Sequence, residues 1–392
     1  AERAAVCDLA GQAAFRAALI RTADRRFRFV LTNHHILLDG WSLPILLREI
    51  FASYYGQRLP AAGSYRAFLT WLADRDLDAS REAWAELLSG LQTPTLVAPE
   101  DRLGQGRRGF EKSRVSAQTT RALGELARSH HTTLSTVLQA AWALVLTSLT
   151  GQHDVVFGTP RSRVGQLEVD DAESMVGLLI NTVPVRANIT ATTTTADLLA
   201  QLQNSHNDAL EHQHLALSEI HRVTGHDQLF DTLFVYENYP IDSGMTLGDD
   251  GLAIAAFTNR EYNHYPLTVE ALPGRELGLH IEFDADVFDA AGIASLVERL
   301  QRVLVAMTAD PARRLSSIDV LGPDEHARLD AIGNRAVLDG PSRPPMSIPE
   351  VFADHVACTP QAVAVTHGAD SWTYRELDQS ANRLAHLLVD HG

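Results

Sequence analysis

The segment TTLSTVLQAAWALVLTSLTG, residues 132–151, carries apolar side chains on nearly every helical face. A helix of that kind must be covered all round, so it belongs between the layers of a large fold and not on a surface. At 392 residues the chain can supply such layers, being too long for one typical compact core and suited to two lobes with an appendage. Its 45% hydrophobic and 21% charged residues are those of a globular protein with sizeable cores.

Strand-like runs recur at DVVFGTP (154–160), GLLINTVPVRANI (177–189), DTLFVYENY (231–239), PLTVEAL (266–272) and LGLHIEFDA (277–285). Helical periodicity lies between them at 80–94, 116–150, 193–212 and 289–309. The pattern predicts a mixed α/β fold with substantial sheet. Pro, Gly and Asp cluster between Gly322 and Pro349 (GPDEH, then LDGPSRPPMSIPE), the composition of a linker after a packed domain. Residues 350–392 then begin a short new unit.

A formal net charge of −16 without any compensating run of Lys and Arg disfavours nucleic acid and anionic lipid as partners. No apolar stretch approaches the roughly 20 residues of a membrane span, so a soluble protein is expected. Cys7 and Cys358 fall in different expected domains and form no disulfide framework, which fits a reducing cytoplasm. The opening AERAAVCDLAGQ lacks the basic and apolar regions of a secretory signal and resembles the middle of a protein. Neither a glycine-rich phosphate loop nor a G-x-S-x-G elbow is present, which removes support for nucleotide and serine hydrolysis.

The sharpest chemical signal is HHxxxDG at residues 34–40. RFRFVLT (26–32) begins with basic and large apolar residues in alternation, a half-buried strand. SLPILLREIFASYYG, from Ser42, is expected to be a helix with Ser42 as its N-cap. A loop between strand and helix can present His35 to a reacting group as proton acceptor or orienting hydrogen-bond partner. The Gly40 N–H, close to a helix start, can face an oxyanion. Asp39 is better placed to pin the loop by an ion pair than to reach substrate. A metal site from His34, His35 and Asp39 is disfavoured, because adjacent strand residues point to opposite faces. The plain alternative is a pair of solvated or core-satisfied histidines. His206, His212, His214, His221 and His226 crowd one region without any metal-ligand spacing and are expected on a solvated helix face.

TNHHILLDGWS with LPILLREIF resembles the signature segment of the condensation domains of nonribosomal peptide synthetases. Further segments resemble that family's blocks in the same order: YRAFLTW (65–71), with Ala67 where an acid is usual, MVGLLINTVPVR (175–186), EHQHLALSEI (211–220) and LFDTLFVYENYP (229–240). TPRSRVG (159–165) departs from the usual Ser-Gly-Arg turn. The resemblance implies two chloramphenicol-acetyltransferase-like lobes in a V shape around a tunnel. The expected divisions are a partial N-terminal lobe (1–110), a C-terminal lobe (111–322), a linker (323–347) and the start of an adenylation domain (348–392). The N-terminal lobe is expected to be incomplete, because little sequence precedes His34. An open apolar face on RFRFVLT and on the helix from Ser42 would follow.

The implied activity is amide bond formation between a donor acyl or peptidyl thioester and an acceptor aminoacyl thioester. Both would ride on phosphopantetheine arms of upstream and downstream carrier domains, and the adjoining adenylation domain would be a further partner. No intrinsic cofactor is implied, and ATP and Mg would serve only a full adenylation domain. His35 and Gly40 would act at the reacting centre, with His34, Asp39 and Ser42 supporting them. Asn181, Thr182, Tyr265 and Pro266 would lie along the tunnel or its acceptor side. The arginine expected to pair with Asp39 would normally come from the earlier segment, and Arg186 is the one substitute here. Trp41 before Ser42 favours condensation over the related epimerisation type, and DGWSLPILL resembles the subtype taking a donor ending in an L-configured residue. The rival from another class is a non-catalytic scaffold or docking segment of a synthetase.

Overall fold

The structure is a computed structural model that describes residues 9–11, 13–59, 61–99, 106–162, 174–237, 254–256, 258, 263–340 and 346–392. Two compact units emerge, Ala1–Gly322 and Pro323–Gly392.

The first unit opens with an antiparallel hairpin of β1 (Phe15–Ala23) and β2 (Arg26–Asn33). β1 was not anticipated. Its connecting turn places Arg25 at φ 55°, the left-handed region, so the two strands are joined within a few residues. The hairpin leaves large apolar side chains in the open: Leu19 is 69% and Phe27 56% exposed. Three helices follow, α1 (Ser42–Tyr54), α2 (Tyr65–Ala73) and α3 (Leu77–Leu87). Next come β3 (Arg108–Val115), α4 (Ala117–Ser129), α5 (Leu134–Thr150), β4 (Asp154–Ser162) and β5 (Ile180–Asn188). The unit continues through α6 (Thr195–Ala209), α7 (Leu217–Thr224), β6 (Thr232–Tyr236), β7 (Leu267–Leu272), β8 (Leu277–Asp284) and α8 (Ala290–Ala309).

Among the described residues β3 to β8 form one mixed six-stranded sheet in the order β3-β8-β7-β6-β4-β5. The β4/β6 and β6/β7 pairs are parallel, and the remaining pairs antiparallel. Alternation along β4 divides two cores: Val155 and Phe157 join α4, α5, α6 and α8 on one face, while Val156 joins Trp84 of α3, Ile220 of α7, Phe230 and Tyr265 on the other. The all-apolar segment is α5, with residues 136–146 buried throughout and Trp142 fully enclosed. The chain therefore folds as the α/β layered structure its periodicities imply. The expected division at 110/111 falls inside β3, whose eight residues pair in register with β8. α3, assigned by position to the first lobe, packs against α6 and α7 of the sheet layer.

The second unit holds α9 (Pro323–Ile332), α10 (Arg335–Leu338), α11 (Ile348–Cys358), the hairpin of β9 (Val363–His367) and β10 (Asp370–Thr373), and α12 (Tyr374–Asp390). Much of the stretch taken as linker is thus helical. Pro323 opens α9 with Asp324 and Glu325 in its first turn, where a proline and negative charge favour a helix start. Capping boxes at Ser347/Glu350 and Thr373/Glu376 start α11 and α12.

Candidate active site

β2 ends at Asn33 and the HHILLDG loop turns at once. His34 N–H donates to the Ala14 carbonyl at 2.8 Å, and Leu37 N–H to the His34 carbonyl at 3.1 Å, closing a tight turn. The Ile36 N–H donates to Nδ1 of His34 at 3.1 Å. A ring nitrogen that accepts carries no proton, so His34 is held as the tautomer protonated on Nε2, with its imidazole committed to the turn. His35 occupies the exposed crest, and its ring has no hydrogen-bond partner among the described residues. The Gly40 N–H likewise meets no acceptor among them.

Below this crest lies a buried clamp. Asp39 is 3% exposed, and Ser42 is fully buried. One Asp39 oxygen accepts from Ser42 N–H at 3.1 Å and from Ser42 Oγ at 3.0 Å. The other accepts the Leu179 N–H at 2.8 Å. The Asp39 N–H donates to the Gly177 carbonyl at 3.2 Å. Ser42 Oγ lies 2.9 Å from that same carbonyl and 3.0 Å from the Gly177 nitrogen, whose N–H it accepts. Tyr65 Oη adds a bond to the Leu178 carbonyl at 3.2 Å. Segment 177–179, which leads into β5, is thereby stitched to the histidine loop by side chains from α1, α2 and the loop itself.

This geometry corrects two expectations. Ser42 is not the helix cap: Trp41 occupies that position without a side-chain bond, and Asp39 receives the first helical N–H. Asp39 makes no ion pair among the described residues. Arg186, the suggested partner, faces Asp154 in a two-pronged pair at 2.9 and 2.8 Å and donates to the Ser89 carbonyl at 2.7 Å. Among the described residues, converging N–H and O–H donors satisfy the Asp39 carboxyl where it sits.

Asn181 follows the clamp by two residues. Its amide donates to the carbonyls of Gln213 and Leu215 at 2.9 and 2.7 Å, holding the turn ahead of α7. Thr182 is half-buried on β5 opposite Pro160. Tyr265 lies in the core against Phe230, with centroids 5.8 Å apart, and burial pushes its hydroxyl up to about 12. Pro266 is buried and its carbonyl accepts the Asp284 N–H at 2.9 Å. Arg108 ties this stretch to β3 by donating to the carbonyls of Asn263 and Tyr265. The histidine cluster is not a solvated face. His214 is 6% exposed, and it and His212 meet the buried Ser80 Oγ of α3 at 3.1 and 3.2 Å. They act as hydrogen-bond partners joining α3 to the 210–215 turn. No group of His, Cys, Asp and Glu among the described residues could hold a metal ion.

Two contributors were missed from sequence. Gly177 has no room for a side chain, because an added Cβ would collide with the Cδ2 and Cε2 carbons of the Tyr65 ring. Tyr65 itself, the first residue of YRAFLTW, packs with Phe68, Met175 and Leu179 in a small separate core. The order of the blocks was the available signal for this meeting.

Residues 2–329 match the family described as Condensation domain. The chain belongs to the condensation-domain family. Chondramide synthase cmdD of Chondromyces crocatus is 35% identical to this condensation domain and its flanking residues over 410 residues, 96% of this chain and 10% of that protein. Bacitracin synthase 3 of Bacillus licheniformis is 32% identical over 400 residues, 98% of this chain and 6% of that protein. The chain thus spans a small part of the curated relatives it matches. Among solved structures, the four-domain nonribosomal peptide synthetase holo-AB3403, bound to AMP and glycine, superposes with a TM-score of 0.72 at 21% identity, covering 98% of this chain and 31% of that one. This likeness is of fold. The condensation-domain fold therefore accounts for the layered sheet.

Proposed function

We propose that this condensation domain forms the amide bond between a donor thioester and an acceptor aminoacyl thioester, both carried on phosphopantetheine arms of carrier domains. The observation that carries this reading is the division of labour in HHILLDG: His34 and Asp39 are committed to holding the loop, and His35 is left exposed with its ring unengaged among the described residues. In the step itself the acceptor nitrogen attacks the donor thioester carbon. His35 orients the amine and takes its proton, and the proton then leaves with the pantetheine sulfur as a thiol when the C–S bond breaks. The Gly40 N–H, without an acceptor among the described residues, donates to the oxygen of the tetrahedral intermediate in this reading. Holding two tethered reactants together is itself worth about 7–11 kcal/mol, so orientation by His35 matters alongside proton transfer.

The partners are upstream and downstream carrier domains and an adenylation domain that begins near residue 348, with no cofactor bound by this chain and a cytoplasmic setting. No single helix among the described residues is long and apolar enough to cross a membrane. Asn181 and Thr182 reach this reading through the strand that the clamp positions, and Tyr265 and Pro266 through the packed wall behind it. The donor ends in an L-configured residue.

The test is a two-carrier assay with loaded donor and acceptor, comparing wild type with His35→Ala. Loss of dipeptide with carrier binding retained is expected. Undiminished turnover in the variant would favour the scaffold reading instead.

A further inference from the structure

A cavity of about 200 Å³ lies beside the edge strand β5, walled by α3, α5, α6 and the end of β4. Arg161, on β4, lines it. Of the five N–H donors of its guanidinium, one is engaged among the described residues, and only by a long bond of 3.4 Å to Gln139 Oε1. The other arginine of the wall, Arg186, is occupied by Asp154 and the Ser89 carbonyl. No Asp or Glu is present among the described lining residues. A largely buried guanidinium without a carboxylate is costly, and burial holds this one down to about 10, so it is still charged at neutral pH. Burial, with a lesser push from the same charge, holds His206 of α6 down to about 4 and keeps it neutral.

The rest of the wall is mixed: Gln139, Asn188, Gln201, Ser205, His206 and Gln213 stand among apolar side chains that include Trp84 and Leu202. Trp84 of α3 and Leu202 of α6 are 2% and 3% exposed. A planar fork with most of its donors unengaged among the described residues, in a cavity that also presents aromatic and aliphatic side chains, suits one class of ligand. We infer that this cavity binds a small organic carboxylate, its two oxygens on the Arg161 guanidinium and a short apolar body along Trp84 and Leu202. The site is separate from the histidine loop and does not depend on the proposed acyl transfer.

The test uses the full chain, with butyrate as probe and butyramide and inorganic phosphate as comparators, followed by calorimetry at low salt. Saturable butyrate binding is expected, weakened at least tenfold in Arg161→Gln and in Ser205→Phe, which narrows the cavity from α6. His35→Ala should bind butyrate as wild type does. Ser205→Phe carries the test if circular dichroism shows that Arg161→Gln does not fold. Three results would each overturn the inference: no saturable binding, equal binding of butyramide, or tighter binding of phosphate than of butyrate. So would undiminished butyrate affinity in a folded variant.

Discussion

Replacing Asp39 by alanine probes the clamp that holds the histidine loop. The substitution deletes three hydrogen bonds, but their loss is unequal. Ser42 N–H keeps the Asp39 backbone carbonyl at 3.1 Å, and Ser42 Oγ keeps Gly177. Leu179 N–H, at 2.8 Å from the lost oxygen, is left in a buried place without an acceptor. An orphaned buried donor costs about 1–3 kcal/mol, and a hydrogen bond to a charged group contributes about 1.5–3 kcal/mol. Counting the orphan once and allowing for partial relaxation, Asp39→Ala should lose about 3 kcal/mol. Asp39→Asn, which keeps one accepting oxygen, should lose about half as much. Ser42→Ala removes the bridge to Gly177 and should couple to Asp39→Ala by roughly 1 kcal/mol in a double-mutant cycle, since the pair shares one network. Urea unfolding of the wild type and these variants, read by tryptophan fluorescence and circular dichroism, gives these values. An Asp39→Ala protein within about 0.5 kcal/mol of wild type, at unchanged m, would refute the reasoning, because surface substitutions without such roles fall in that range.

Gly177→Ala should destabilise by about 2–3 kcal/mol through collision with the Tyr65 ring, and Tyr65→Ala in the same chain should recover part of that loss; the measurement is again the urea midpoint. His35→Ala should leave that midpoint within about 0.5 kcal/mol of wild type, because the ring is exposed and unbonded among the described residues, while dipeptide formation is lost. Asp231, pushed up to about 6 by burial despite accepting the Val97 and Ala98 N–H groups, ionises more readily unfolded than folded, so its contribution to stability falls as pH rises from about 4 to 6. His206, held down to about 4, protonates more readily unfolded, so its contribution falls as pH drops from about 6.5 to 4. Difference curves of urea midpoints should therefore slope oppositely: Asp231→Asn gains on wild type as pH rises through this window, and His206→Gln gains as pH falls.

The layered sheet was legible because its signals are periodic. α5 is apolar all round and is buried all round, and β4 to β8 each coincide with a run of strand-forming residues. β1 escaped notice because FRAALIRTA mixes two arginines with small residues, and it becomes a strand by pairing with β2 along its length. Tertiary pairing there decides what local preference leaves open. The 323–338 stretch shows one composition open to two readings. Proline, glycine and aspartate suggest linker composition, yet a proline at the first helical position followed by acids is also how a helix begins.

At the site the boundary between legible and hidden runs between side-chain chemistry and backbone acceptors. HHILLDG marks its histidines, aspartate and glycine by identity, and the flanking strand and helix place them in one loop. Nothing in the residue types indicates that Asp39 would be answered by the N–H of Leu179, 140 positions away, because every residue except proline offers that same donor. The arginine expected for Asp39 comes from the family resemblance and is placed ahead of this chain, with Arg186 as the substitute, and Arg186 is engaged by Asp154. The partners among the described residues are a glycine that admits Tyr65 closely and a serine whose Oγ accepts the Gly177 N–H and has Asp39 and the Gly177 carbonyl as alternative acceptors for its one proton. Such a lock depends on position more than on charge. Its strength should therefore change little with salt, whereas an Asp–Arg pair near a surface would weaken. Measuring the Asp39→Ala stability loss at about 0.05 M and 1 M NaCl separates the two: equal losses fit the hydrogen-bonded clamp, and a loss that shrinks sharply at high salt would reveal an ion pair after all.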